Sequence, residues 1–174
     1  MATNSKTKTT KTPTYPDLGL AVDAHKGVVK VLKTVLADEH VLYIKLRKYH
    51  WNVNGPQFHA LHEMFEQQYT AIADVIDEVA ERIVQYGAVA PGTLADFLED
   101  ARLSENPDET PDATTMVENS VSDHEALIRY LRDDVDTVGE KYEDIGSEDF
   151  LTGLLQQHQQ YAWMLRAMLQ GDMV

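Results

Sequence analysis

Between positions 50 and 82 the chain reads HWNVNGPQFHALHEMFEQQYTAIADVIDEVAER. Phe58, Leu61, Phe65, Tyr69, Ile72, Ile76, Val79 and Ile83 recur at threes and fours. At about 100° per residue they make one apolar stripe roughly 80° wide, which a long helix packed along its length can bury. Gly55-Pro56 predicts the start of that helix, with Pro56 at the first helical position, where its missing N–H costs nothing. His62, Glu66, Thr70, Ala73, Asp77 and Glu81 all flank one side of the stripe. On the helical wheel they fill a band from roughly 60° to 160°. His62, Glu66, Asp77 and Glu81 are of metal-ligating types.

The four come as two pairs, His62/Glu66 and Asp77/Glu81, each at i,i+4, a spacing that lets two side chains reach one ion. His62 and Asp77 are about 22 Å apart along a helix, so one copy cannot close both pairs around one site. Two antiparallel copies can. A two-fold axis near residues 71 and 72 sets His62 against Glu81 of the second copy, Glu66 against Asp77, and Thr70 against Ala73. The small central pair permits close approach, and imidazole–carboxylate clusters form at both ends. The pattern predicts an intersubunit metal site, present twice per dimer. His50 adds an imidazole just before the loop into the helix. Such N and O ligands suit iron, zinc or manganese.

The remaining segments are also helical in pattern. A first helix is predicted from about Leu18 to Tyr49, through Val28, Leu32, Val35, Leu36, Leu42 and Leu46. The second ends near Gly87. LADFLEDARL predicts a short helix inside a long connection. Thr110-Pro111 reads as an N-cap followed by Pro at the first position of a third long helix. Gly146 reads as a break and Ser147 as the cap of a last helix carrying Leu151, Leu154, Leu155, Tyr161, Ala162, Leu165 and Leu169. No segment alternates like a strand. The expected fold is all-α: a ferritin-like four-helix bundle over residues 17–174, with a short extra helix in the long crossover between its second and third helices.

The run His50-Trp51-Asn52, Gly55, Phe58, Leu61-His62, Phe65-Glu66, Tyr69, Asp77, Ala80-Glu81-Arg82 resembles the signature of the Dps family, the DNA-binding proteins from starved cells. The similarity covers about residues 18–170, including the late YAWML around Trp163. It implies a hollow shell of twelve subunits that oxidises Fe(II) and stores Fe(III). At each two-fold interface, residues matching His50, His62 and Glu66 come from one subunit and those matching Asp77 and Glu81 from its neighbour. Hydrogen peroxide is the implied oxidant, with O₂ slower. Pore positions fall at Glu140, Asp144 and Asp149, although Asp149 also suits a helix N-terminus electrostatically. Glu63 stands as an inner-wall nucleation residue. Trp51 reads as packing, or as a sink for stray oxidising equivalents beside the iron. Many members carry Asp where this chain has Glu66, and the longer arm is expected to shift or weaken a second iron.

Rival metal patterns fit less well. The Glu-x-x-His pair of ordinary di-iron bundles is absent, as is the His-Glu-x-x-His of zincins. His59 and His62 with Glu63 and Glu66 invite a zinc reading, but a closed zinc site normally takes four ligands from one chain. His158 lies on the apolar stripe of the last helix and reads as a hydrogen-bonded core histidine. His40 and His124 show no partner pattern.

The chain has no cysteine, which excludes disulfides and thiolate sites. No apolar run approaches the roughly 18 residues of a membrane span, and a cytoplasmic location, with nucleoid association if DNA is bound, is the expectation. Residues 1–16 are Thr/Lys-rich, with Lys6, Lys8 and Lys11 and no acid, and are expected to form a mobile tail. It reads as a solvated terminus or as a basic arm for DNA phosphates. The second reading keeps open an alternative function, a mainly structural DNA-compacting protein with a vestigial or zinc-filled metal site.

The rest of the chain repels DNA. Without the tail lysines it holds 12 basic and 29 acidic residues, a net of −17 against −14 for the whole. Only an arm can reach a phosphate past the roughly 8–10 Å over which salt screens that charge. Removing residues up to about Tyr15 is therefore expected to abolish any DNA retardation seen at low salt while leaving iron oxidation intact. A gel-shift series over salt checks this, since counterion release makes such binding fall steeply with salt.

Overall fold

The computed structural model of the protein describes residues 15–107 and 110–170. Lys6, Lys8 and Lys11 lie outside the described residues. Among the described residues five helices follow one another: α1 Val22–Asn52, α2 Phe58–Gln85, α3 Leu94–Asp100, α4 Ala113–Asp136 and α5 Ile145–Leu169, with a π-helical turn Thr137–Lys141 extending α4. No strand occurs among the described residues, and no described helix is long and apolar enough to cross a membrane. The pairs α1/α2 and α4/α5 pack into a four-helix bundle, and α3 lies against α1 within the crossover.

The helix ends differ from the sequence expectation for local reasons. Helix α1 starts at Val22 rather than Leu18, because Pro16, an Asp17 side chain bonded to the Gly19 amide, and Gly19 at φ +74° hold the preceding segment in a turn. Pro56 is not inside α2. Gly55 sits at φ +101°, the Phe58 amide donates to the Gly55 carbonyl, and the helix begins only at Phe58. Asp112, not Thr110, caps α4: its carboxylate accepts the Thr115 amide at 2.8 Å. Asp144, not Ser147, caps α5 by accepting the Ser147 amide, and the break is made by Glu143 at φ +53° while Gly146 is helical. Gly87 at φ +70° does end α2, with its own amide and that of Ala88 returning to the Val84 and Ile83 carbonyls in a Schellman pattern.

Two apolar clusters fill the bundle. One gathers Leu42, Leu46, Leu61, Phe65, Met116 and Leu127; the other gathers Leu32, Leu36, Val79, Ile83, Leu131 and Leu151. Gly27 lets the chain after the π turn press onto α1, since a Cβ there would overlap the Tyr142 ring. Ionic ties then hold the crossover against α1. Asp38, wholly buried, accepts the Arg102 and Leu103 amides at 2.6 and 3.1 Å and the Arg102 guanidinium at 2.8 Å. Arg102 also reaches Asp134 on α4 at 2.8 Å. Burial pushes the Asp38 carboxyl above its usual range even though the Arg102 charge and hydrogen bonds pull it down. Lys45 meets the Ser104 carbonyl and Asp123.

Removing one partner from such a buried pair is costly, because the other charge and its donors stay behind. Asp38→Ala is expected to lower the unfolding free energy by about 3–5 kcal/mol, measured by denaturant unfolding at protein concentrations matched to the unsubstituted chain.

Candidate metal centre

The last turn of α1 and the first turns of α2 face each other across the short loop 53–57. A helix end leaves its final carbonyls without an amide four residues on. The His50 carbonyl is one of these, and His62 Nδ1 lies 2.8 Å from it. His50 Nδ1 lies 2.8 Å from the His62 carbonyl. A carbonyl only accepts, so in both bonds the ring donates and each Nδ1 carries the proton. In the neutral rings Nε2 then keeps its lone pair, the form that binds a metal. The rings stack with centroids 3.7 Å apart, and Phe58 stacks on the other side of His62 at 5.0 Å.

Glu66 stands one turn after His62. One donor atom from each of His50, His62 and Glu66 lies within 4.8 Å of the other two, and this is the one such group of three among the described residues. His50 is buried, His62 half-buried and Glu66 exposed, so the group opens at the surface of the chain. Asp77 and Glu81 are exposed further along the same helix and are not part of it. One chain thus brings together three of the five expected ligands. His59, the histidine of the rival zinc reading, is also outside the group; it points to solvent and pairs with Glu63 at 3.5 Å.

The flanking residues fall as follows. Trp51 is 63% exposed, with the Arg47 guanidinium 4.7 Å from its ring. Arg47 also donates to the Tyr43 hydroxyl, Tyr43 meets Tyr69 edge-on, and Tyr69 meets His50 at 5.2 Å. The periodicity of the sequence pointed to none of this cage, because Arg47 reads there as an ordinary surface charge. Glu63 is exposed in a groove with Met64, Gln67 and Trp163. Glu140 and Asp149 are exposed. Asp144 is buried and engaged by the Tyr86 hydroxyl and by Ser147. Burial raises its carboxyl, but those hydrogen bonds and the Arg82 charge bring it below the usual range. His158 is a bonded core histidine, 2.8 Å from Glu39.

A family model described as Ferritin-like domain matches residues 29–173. An uncharacterised low temperature-induced protein of Nostoc sp. is 44% identical over 156 residues, covering 90% of this chain and 87% of that protein. DNA protection during starvation protein 2 of Bacillus anthracis is 39% identical over 146 residues, covering 83% and 98%. The crystal structure of a Dps protein from Bacillus brevis superposes with a TM-score of 0.81 at 35% identity, covering 86% and 99% of the two chains.

The two histidines of α2 are separable by experiment. His62→Ala is expected to lower Co²⁺ affinity by at least about tenfold, whereas His59→Ala leaves it unchanged. Titration followed by the visible Co²⁺ spectrum checks both.

Proposed function

The chain belongs to the Dps family of ferritin-like proteins, and on that premise we propose that it is a ferroxidase and iron-storing mini-ferritin. The observation that carries this is the three-donor group His50–His62–Glu66 at the chain's surface, with Asp77 and Glu81 left free on the same helix. Fe(II) is the substrate. In this reading, two chains related by a two-fold axis set Asp77 and Glu81 of one opposite His50, His62 and Glu66 of the other. Such a two-fold contact closes on itself as a dimer; combined with three-fold contacts elsewhere on the subunit, it builds a closed shell, here of twelve subunits.

Imidazole nitrogen holds Fe(II), and the carboxylates favour the harder Fe(III), so oxidation is downhill at the site. Two Fe(II) ions give one electron each to hydrogen peroxide. With two protons taken up, the O–O bond breaks to two waters and no hydroxyl radical is released. O₂ serves as the slower oxidant. Ferric product moves inward, where Glu63 starts mineral growth. Glu140 and Asp149 line the path of entry; Asp144 contributes there less freely, since Tyr86 and Ser147 already occupy its oxygens. Trp51, held under Arg47, takes up stray oxidising equivalents. The same donor set accepts zinc, which would compete with the substrate rather than turn over. DNA protection, the role in the name of the Bacillus anthracis relative, follows from removing iron and peroxide together, with DNA contact carried by Lys6, Lys8 and Lys11 in a cytoplasmic, nucleoid-associated setting.

Stopped-flow oxidation of Fe(II) tests the reading. Peroxide is expected to drive a faster phase than O₂, and His62→Ala with Asp77→Ala to abolish it. An unchanged rate in the double variant refutes the assignment. Solution mass is expected near about 235 kDa, twelve times 19.6 kDa; a stable monomer that keeps the fast phase refutes the shared site.

A further inference from the structure

The bundle interior contains a polar layer that the metal centre does not use. Glu39 of α1, Gln68 of α2, His124 of α4 and His158 of α5 are each at most 2% exposed. One comes from each long helix, and they are joined end to end. His158 Nε2 is 2.8 Å from Glu39 Oε1, the two Nδ1 atoms of His158 and His124 are 2.9 Å apart, and His124 Nε2 is 3.3 Å from Gln68 Oε1.

Both ends of this chain are acceptors, a carboxylate oxygen and an amide oxygen. All four ring nitrogens are used between them. Three hydrogen bonds need three protons, and two neutral imidazoles carry only two. We propose that each bundle core stores one further proton in the Glu39–His158 contact, so that the four helices share a proton-operated lock. With that proton present, every bond runs toward Gln68: His158 donates to His124, and His124 donates to the Gln68 oxygen. Without it, three bonds survive only if His158 donates to Glu39, His124 donates back to His158, and the Gln68 amide turns over to donate its Nε2 hydrogens.

Other observations agree. Burial and the neighbouring His158 hold the His124 imidazole well below the usual histidine range, which leaves the stored proton at the Glu39 end. Gln68 Nε2 has no hydrogen-bond partner among the described residues, so turning the amide over breaks no bond of that nitrogen. A metal ion does not fit in place of the proton, since Glu39, His124 and His158 offer no three converging donors. The ionisable neighbours are accounted for on each packed element. On α1, Asp38 is turned to Arg102, and His40 bonds the Leu36 carbonyl. On α4, Asp123 pairs with Lys45. On α5, Tyr161 stands 5.4 Å from His124 with its hydroxyl bonded to Gln157. From α2 only Gln68 enters the chain of bonds.

The test compares the full-length protein with Glu39→Gln by denaturant unfolding from about pH 7 to 9, at matched protein concentration. Above about pH 6.5 the histidines of the unfolded chain are neutral. The folded unsubstituted protein then holds one proton more than its unfolded chain, and its unfolding constant rises tenfold per pH unit until that proton is lost. The side-chain amide brought in by Glu39→Gln can donate to His158, so all three bonds close on neutral rings and that tenfold term disappears. Should this variant not fold, Gln68→Leu removes the acceptor at the other end and the same difference in slope is expected. Equal pH slopes in variant and parent overturn the proposal, as does a Zn²⁺ ion bound between the two Nδ1 atoms in crystals grown with zinc.

Discussion

Two hydrogen bonds exchanged between imidazoles and main-chain carbonyls set the geometry on which the candidate metal centre depends. Helix α1 stops at Asn52, which leaves the His50 carbonyl without a helical amide, and the His62 ring fills that vacancy while the His50 ring bonds back to the His62 carbonyl. Each such bond contributes only about 0.5–1.5 kcal/mol net, a small share of the stability of a domain this size. Their effect is positional. They fix both tautomers, hold the rings stacked and leave both Nε2 lone pairs unprotonated.

Stability comes from elsewhere. The apolar clusters along α1, α2, α4 and α5 remove large side chains from water, with Leu32, Leu36, Leu42, Phe65 and Leu127 almost fully enclosed. The buried charges add little net stabilisation, because desolvation offsets most of their attraction. They determine the route of the chain instead. Asp38, Arg102 and Asp134 pin the crossover to α1 and α4, and Lys45 with Asp123 and the Ser104 carbonyl pins it again about two turns further along α1. An exposed pair such as Arg166–Glu125 has neither role; at 46% and 41% exposure it is worth under about 1 kcal/mol. The acidic surplus stays at the surface, where it costs little to solvate and repels polyanions.

The apolar periodicity determined by itself the number of long helices, the short helix in the crossover and the position of the α2 stripe, because burial of a repeating face has one regular solution. The i,i+4 spacing of His62 and Glu66 likewise followed from helix geometry alone. Helix starts did not. Pro56 suits a first helical position and Thr110 and Ser147 suit caps, but the turn closed on the Gly55 carbonyl and the carboxylates of Asp112 and Asp144 settled where each helix begins. What only the tertiary structure decided is which side chains from different helices meet. The stacking of His50 on His62 with their exchanged carbonyl bonds, the Arg47 cage between α1 and α2, and the Glu39–His158–His124–Gln68 chain across all four helices depend on helix rotation and register. Those are set by the packing of the whole core, and no single stretch of sequence encodes them.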